Sequence, residues 1–437
     1  MTQINPQRFI AEVVVTCDTA NAVYTPGIVD IEDGRIQWVG PKEEAPAKSA
    51  TMHETDIGGL LMPGLVNSHC HTPMTLLRGV GDGLPLQEWL TEAMWPREGL
   101  MTSEDVWWGM TLGSAEMLES GITTSCEMYL FEETVVEAVQ QTGARLVITP
   151  VVISESSRSL KEHIADLTEL HNRHHNPAGR TTVGVAAHSA YDLGIDPVAE
   201  LADLGRSLDT IFHLHLAETQ QESTDLERRF GQSIARILYD HGVFDGRVLA
   251  AHSVWVDQTD IELMADTGVA VAHCPISNMK LGAGIAPLVD LRTAGVTVGY
   301  GTDGPASNDS LDLWEEVKIA PLLARAQALD STAITAAETL AMATREGAAA
   351  VGLNDVGSLV SGNAADMIRV DLNQNTFVPV TSPDELIAHL AWSGSNRLVT
   401  DVWVAGEQVV VDGKVQTVDT ERARAQVQER ARRLAGS

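Results

Sequence analysis

The 437-residue sequence predicts an α/β fold, a closed barrel of eight parallel strands with a small β-sandwich built from both chain termini. Three observations lead there. The middle of the chain repeats one rhythm, a short apolar run, a turn and a helix-like stretch. Eight such runs can be counted. Both ends are instead β-rich, with Asp-Gly turns. Alternating β and α elements imply a parallel sheet, and eight units are the number that closes a TIM-type (β/α)8 barrel.

Residues 1–60 hold "EVVVTCDTANAVYTPGIVDIEDGRIQWVG", whose apolar alternation breaks at Asp33-Gly34, a hairpin signal. They are expected to form the N-terminal part of the sandwich. Residues 61–356 are expected to form the barrel. Its strand candidates are "LLMPGLVNSH", "GITTSCEMY", "ARLVITPVVI", "TTVGVAAHS", "TIFHLHLAE", "RVLAAHS", "GVAVAHCP" and "GVTVGYGTDG". Between them lie helical patterns. "SEDVWWGMTLGSAEMLES" ends at Gly121, a natural glycine just past a helix end. "KEHIADLTELHNRHH" and "ESTDLERRFGQSIARILYDHG" are two more. Residues 357–437 are expected to complete the sandwich through "AADMIRVDLN" and "DVWVAGEQVVVDGKVQTVD", with a turn at Asp412-Gly413. The last stretch, "TERARAQVQERARRLAGS", reads as a terminal helix.

Composition narrows the function. Sixty acidic against 29 basic residues give a formal charge of −31, which repels phosphate backbones and anionic membranes, so no nucleic-acid or membrane partner is expected. Cys17, Cys70, Cys126 and Cys274 form no CxxC pair, pointing to reduced thiols in a cytoplasmic protein. The opening "MTQINPQRFIAEVVVTCDT" has no basic region followed by a long apolar stretch, and no run of about 18 apolar residues occurs anywhere.

In such a barrel the active site sits where the strands end. Ligand-type residues gather at those positions. His69 and His71 end the first run, His188 the fourth, His215 the fifth, His252 the sixth, His273 the seventh, and Asp303 follows the eighth. On a strand, residues i and i+2 share a face, so His69 and His71 leave side by side while Cys70 points away. Any one of these is ordinarily an unremarkable polar residue; their joint placement at one mouth is what suggests a metal site. His213 shares His215's face one step deeper and reads as a core or supporting histidine.

The pattern His-x-His, a His after strand five, a His after strand six and an Asp after strand eight resembles the metal site of the amidohydrolase superfamily. "MPGLVNSHCHTPMTLLRG", "LQEWL", "HLHLAET", "AHCPISNMKLGAGIAP" and "GTDGPASNDSLDLWEE" are similar to the 5-methylthioadenosine/S-adenosylhomocysteine deaminase branch. The resemblance implies one metal ion held by His69, His71, His215 and Asp303. The fourth run ends in "GVAAHSAY", with no lysine to bridge two ions. Three imidazoles and a carboxylate suit Zn2+, and Fe2+ is also compatible. It further implies attack by water, its pKa lowered by the metal toward about 7, on the purine C6 of an adenine nucleoside. Glu218 would donate to ring N1, Asp303 would take the water's proton, and His252 would polarise that water. For substrate, it implies Glu88 on the ribose hydroxyls, His188 on the purine, and Arg145 with Arg158 on a homocysteine carboxylate. Trp89 either walls the nucleoside pocket or packs a buried helix. His273 would orient a loop or touch substrate. The resemblance allows a homo-oligomer. Two other readings share the scaffold: hydrolysis of another amino- or chloro-substituted ring (guanine, a pterin, an s-triazine), and an inactive assembly protein, against which stands the complete set of His69, His71, His215, Asp303 and Glu218.

Overall fold

The computed structural model describes residues 6–154 and 156–436. Eight parallel strands form the barrel wall: β1 Leu65–Cys70, β2 Ile122–Glu127, β3 Arg145–Ile148, β4 Val185–Ser189, β5 Phe212–Leu216, β6 Val248–His252, β7 Ala270–His273 and β8 Val298–Tyr300. β1, β2 and β3 pair in order, and β4 to β8 pair in order. The third and fourth strands each come in two pieces. Thr181–Val183 pairs with β3, and Val151–Val152 pairs with β4, which joins the two runs. A parallel bridge from Cys70 to Asp303 closes the wall between its first and last members. Nearly every strand residue is buried, because one face meets the barrel interior and the other meets helices.

The run expected as a single first strand is two strands. Leu60–Pro63 pairs antiparallel with Met367–Val370 in the sandwich, and only Leu65–Cys70 enters the barrel. The chain changes sheet at Gly64, where an added Cβ would lie 2.2 Å from Thr123 Oγ1. The helix expected across "ESTDLERRFGQSIARILYDHG" is likewise divided, into Gln220–Phe230 and Ile234–Asp240. Gly231 takes a left-handed φ of +75° and ends the first piece, and Ser233 caps the second by accepting from Arg236 N.

The sandwich takes strands from both ends of the chain. One sheet is N-terminal: Gln7–Ala11, Gly27–Glu32, Arg35–Pro41 and His53–Asp56. The other joins Val13–Val15, Val23–Tyr24 and Leu60–Pro63 to Met367–Val370, Val399–Val404, Glu407–Val411 and Lys414–Val415. Both Asp-Gly pairs sit at hairpin turns with positive φ, 50° and 76° at Asp33-Gly34, 49° and 70° at Asp412-Gly413. That is the turn whose twist matches paired strands. Phe9 and Trp403 pack between the sheets, their ring centroids 5.1 Å apart.

The terminal helix, Thr420–Ala435, lies on the barrel helix Ser103–Glu119. Asp105 there is fully buried; burial opposes its charge, but bonds from Thr102, Arg433 and Arg430 hold its carboxyl down at about 2. Pro383–Ser393 packs against barrel helices Leu313–Ala328 and Ala336–Met342. No helix among the described residues is long and apolar enough to cross a membrane.

Candidate active site

The C-terminal ends of the strands converge on one pocket. His69 and His71 leave β1 on the same side, their ring centroids 4.7 Å apart. His215 comes from β5, His252 from β6, and Asp303 follows β8. Ala217, His252, Ser253 and Asp303 all adopt positive φ without being glycine, between 48° and 70°. Such backbone conformations cost energy and recur where function over-determines the chain.

Each histidine of the cluster is fixed through one nitrogen. His71 Nδ1 bonds Met128 O, His215 Nδ1 bonds His188 O at 2.8 Å, and His69 Nδ1 bonds His213 Nε2 at 3.1 Å. Acceptors on Nδ1 place the proton there and leave Nε2 as a lone pair. Those Nε2 atoms converge. His69 and His71 lie 3.4 and 3.2 Å from Asp303 Oδ1, and His215 Nε2 lies 3.4 Å from His71 Nε2. His69 Nε2 is fully buried with no hydrogen-bond partner. A buried lone pair without a donor, beside two others and a carboxylate, is the arrangement that a divalent cation completes.

The electrostatics agree. Burial keeps His69 down at about 4 and His215 well below the usual imidazole range, so both are neutral ligand-type bases. At His71 burial is outweighed by the Asp303 carboxylate, which raises it to about 9; a cation there would displace that proton. Asp303 is itself held well below the usual carboxylate range: burial opposes its charge, but His69 and His71 prevail. Its second oxygen accepts from Ser277 Oγ at 2.6 Å and Ser307 Oγ at 2.8 Å.

Glu218 and His252 stand beside this cluster. Glu218 Oε1 lies 3.9 Å from His252 Nε2, and burial raises the Glu218 carboxyl above its ordinary value. His252 Nδ1 is 2.9 Å from Asn278 Oδ1, which fixes the ring. Glu222 accepts the Glu218 backbone N–H at 2.9 Å, and burial, then Glu218, push its own carboxyl up to about 8. His188, His71, His215, Glu218, His252 and Asp303 all line one cavity of about 260 Å3. Burial holds His188 near 4, so it is neutral. Trp89 is buried and lines that cavity, while its Nε1 donates to Val80 O.

The remaining expected substrate groups lie elsewhere. Arg145 is at the N-terminal end of β3, the opposite end of the barrel from the cluster. It is buried, with Nε and Nη2 on Asp366 at 2.7 and 3.1 Å. A guanidinium so engaged has no path to the pocket, and the carboxylate-binding role expected for it is corrected to a structural one. Arg158 is exposed and paired with Asp166, outside the cavity lining. Glu88 is exposed between the lining residues Leu86 and Trp89 and does not itself line the cavity. His273 is buried behind the site against Tyr300.

Sequence reasoning missed several residues that shape the site. Ser277, Asn278 and Ser307 hold Asp303 and His252 from the short helices Pro275–Lys280 and Pro305–Asn308. Glu127, at the end of β2, accepts from Thr72 N at 2.9 Å and from Cys70 Sγ, fixing the chain around His71. Burial raises it to about 7. Tyr129 donates to Glu98 at 2.7 Å, and both line the cavity. Glu127 was findable: it ends a strand, as the histidines do.

Comparison with known proteins then fits the geometry. The profile described as the amidohydrolase family matches residues 60–409. The chain belongs to the amidohydrolase family. Within it, the chain is 38% identical to a protein of Pelotomaculum thermopropionicum, over 96% of this chain and 97% of that one. It is 39% identical to one of Symbiobacterium thermophilum, over 94% and 95%. Both are named 5-methylthioadenosine/S-adenosylhomocysteine deaminase. Among solved structures, an adenosine deaminase from Xanthomonas campestris with bound zinc superposes with a TM-score of 0.93 at 35% identity, covering 99% of each chain. Like other members of this family, the chain presents a donor set for a divalent metal.

Proposed function

We propose that this protein is a hydrolytic deaminase of adenine nucleosides, turning the 6-amino purine and water into the inosine analogue and ammonia. The observation that carries the reading is the convergence of the His69 and His71 Nε2 atoms on Asp303, with His215 Nε2 3.4 Å from His71 Nε2 and with Glu218 and His252 at the edge of the same cavity. His69, His71, His215 and Asp303 would hold the ion, and their nitrogen-rich set favours Zn2+, with Fe2+ compatible. When bound, the ion supplies acidification of water, to a pKa of about 7.

The chain's own residues supply the rest. Glu218, with its carboxyl raised by burial, holds a proton that it donates to purine N1 as water adds at C6. His252, anchored through Nδ1 by Asn278, presents Nε2 to the attacking water and orients it. Asp303, held by Ser277 and Ser307, receives one proton of the water and passes it to the amine, which leaves as ammonia, while the remaining hydroxyl proton returns to Glu218 as the C6 carbonyl forms. His188 faces the purine as a neutral imidazole. The four cysteines are free and buried, which fits a reducing, cytoplasmic setting.

The test is ammonia release from adenosine and 5′-methylthioadenosine by zinc-loaded protein, beside Glu218→Gln. Expected are conversion to the inosine analogue and a loss of about 10²- to 10⁴-fold in the variant. No conversion by metal-bound wild type would refute the reading.

A further inference from the structure

The cavity changes character away from the histidines. Leu86, Trp89 and Trp95, from the segment after β1, form one wall, and Leu130, Val151 and Ile153 form another. Trp95 and Ile153 are half-buried and stand toward solvent. Glu98, Glu218 and Asp303 line the cavity, and no lysine or arginine does among the described residues. The two arginines expected to meet a carboxylate are engaged elsewhere, Arg145 on Asp366 and Arg158 on Asp166.

A nucleoside bound for deamination must place C6 against Glu218 and His252. Its ribose and 5′ substituent then extend along the apolar walls. An ionised carboxylate brought there loses water and finds neither a guanidinium nor an ammonium. An ammonium in the same place meets the carboxyl of Glu98, whose Oε1 accepts from Tyr129 at 2.7 Å.

We infer that the pocket selects adenine nucleosides with an uncharged, apolar 5′ substituent, of the methylthio kind, and discriminates against those whose 5′ chain ends in a carboxylate. The inference deepens the deaminase reading and rests on it. It divides the two substrates joined in the names of the relatives, and assigns this chain to the uncharged one.

Five nucleosides separate charge from size in assays of the full-length, zinc-loaded protein. They are 5′-methylthioadenosine, 5′-butylthioadenosine, S-adenosylhomocysteine, and two analogues of the last keeping only its carboxylate or only its ammonium. Expected is a kcat/KM for S-adenosylhomocysteine and the carboxylate-only analogue at least tenfold below that for the butylthio compound, chiefly through KM. The ammonium-only analogue should suffer less than the carboxylate-only one. Ile153→Arg should raise the ratio of S-adenosylhomocysteine to methylthioadenosine activity several-fold. Equal kcat/KM for S-adenosylhomocysteine and methylthioadenosine would overturn the inference. So would a butylthio compound as poor as S-adenosylhomocysteine, which would make size and not charge the determinant. No turnover of any of the five would instead bring down the deaminase reading itself.

Discussion

His213 never reaches the cavity, yet its loss should be felt at the metal. Its Nε2 is 3.1 Å from His69 Nδ1, its Nδ1 is 3.0 Å from Thr149 Oγ1, and that hydroxyl donates to Glu127 O at 3.1 Å. His69 Nδ1–H therefore donates to His213, whose own N–H donates to Thr149. Burial holds His213 well below the usual imidazole range, so it stays neutral and able to accept. His213→Leu keeps a similar volume but strands two buried groups, the His69 N–H and the Thr149 oxygen. Each such group costs about 1–3 kcal/mol. The part borne by His69 appears as a rotated or re-tautomerised ligand, and removing partners of this kind lowers metal affinity by about 10- to 100-fold. Zinc affinity, measured by competition with a chromophoric chelator, should fall within that range. His213→Gln, whose side-chain oxygen can still accept from His69, should recover much of it. A leucine variant that binds zinc as tightly as wild type would refute the chain of bonds as a device for holding His69.

Other consequences are as direct. Arg145→Met breaks a buried pair and should cost about 3–5 kcal/mol in denaturant unfolding, while KM for substrate stays unchanged; a raised KM at unchanged stability would restore the substrate role. Glu222 has a folded-state value of about 8, above the 4.5 of an ordinary glutamate. Its neutral form therefore favours the folded state fully below pH 4.5, and that contribution is lost as pH rises through 8. Glu222→Gln should gain stability relative to wild type between pH 5 and 9, by a few kcal/mol at most, measured by melting across that range. Replacing Ser277 and Ser307 together by alanine frees Asp303 Oδ2 and should lower metal affinity by about 10- to 100-fold, read by the same chelator competition.

Much of this architecture was legible because it follows from local rules. Side-chain alternation put His69 and His71 on one face and Cys70 on the other, and Cys70 Sγ indeed turns to Cys126 and Glu127. Asp-Gly pairs marked both hairpins. The break at Gly64 was invisible because sandwich and barrel strands are equally apolar, and nothing in "LLMPGLVNSH" says which sheet each half joins. Gly231 hid inside a long helical pattern that one glycine need not interrupt. Arg145 was misplaced by matching a motif without asking which end of its strand it occupies. It precedes the apolar run, whereas every gathered histidine follows one. Ser277 and Asn278 had no local signature, since each acts on a residue remote in sequence, whereas alternation already marked His213 as a supporting histidine.

The bridge between Cys70 and Asp303 is a seam, and the donor set straddles it. His69 and His71 stand on the first stave and Asp303 on the last. An ion held by all three is a clasp fastening the barrel where it would otherwise open. During synthesis that clasp cannot snap shut until the final stave has emerged, so metal capture becomes a signal that the cylinder is complete. Stripping the ion should loosen this one joint before any other, and protection of β1 and β8 amides against hydrogen exchange is where that loosening would first be seen.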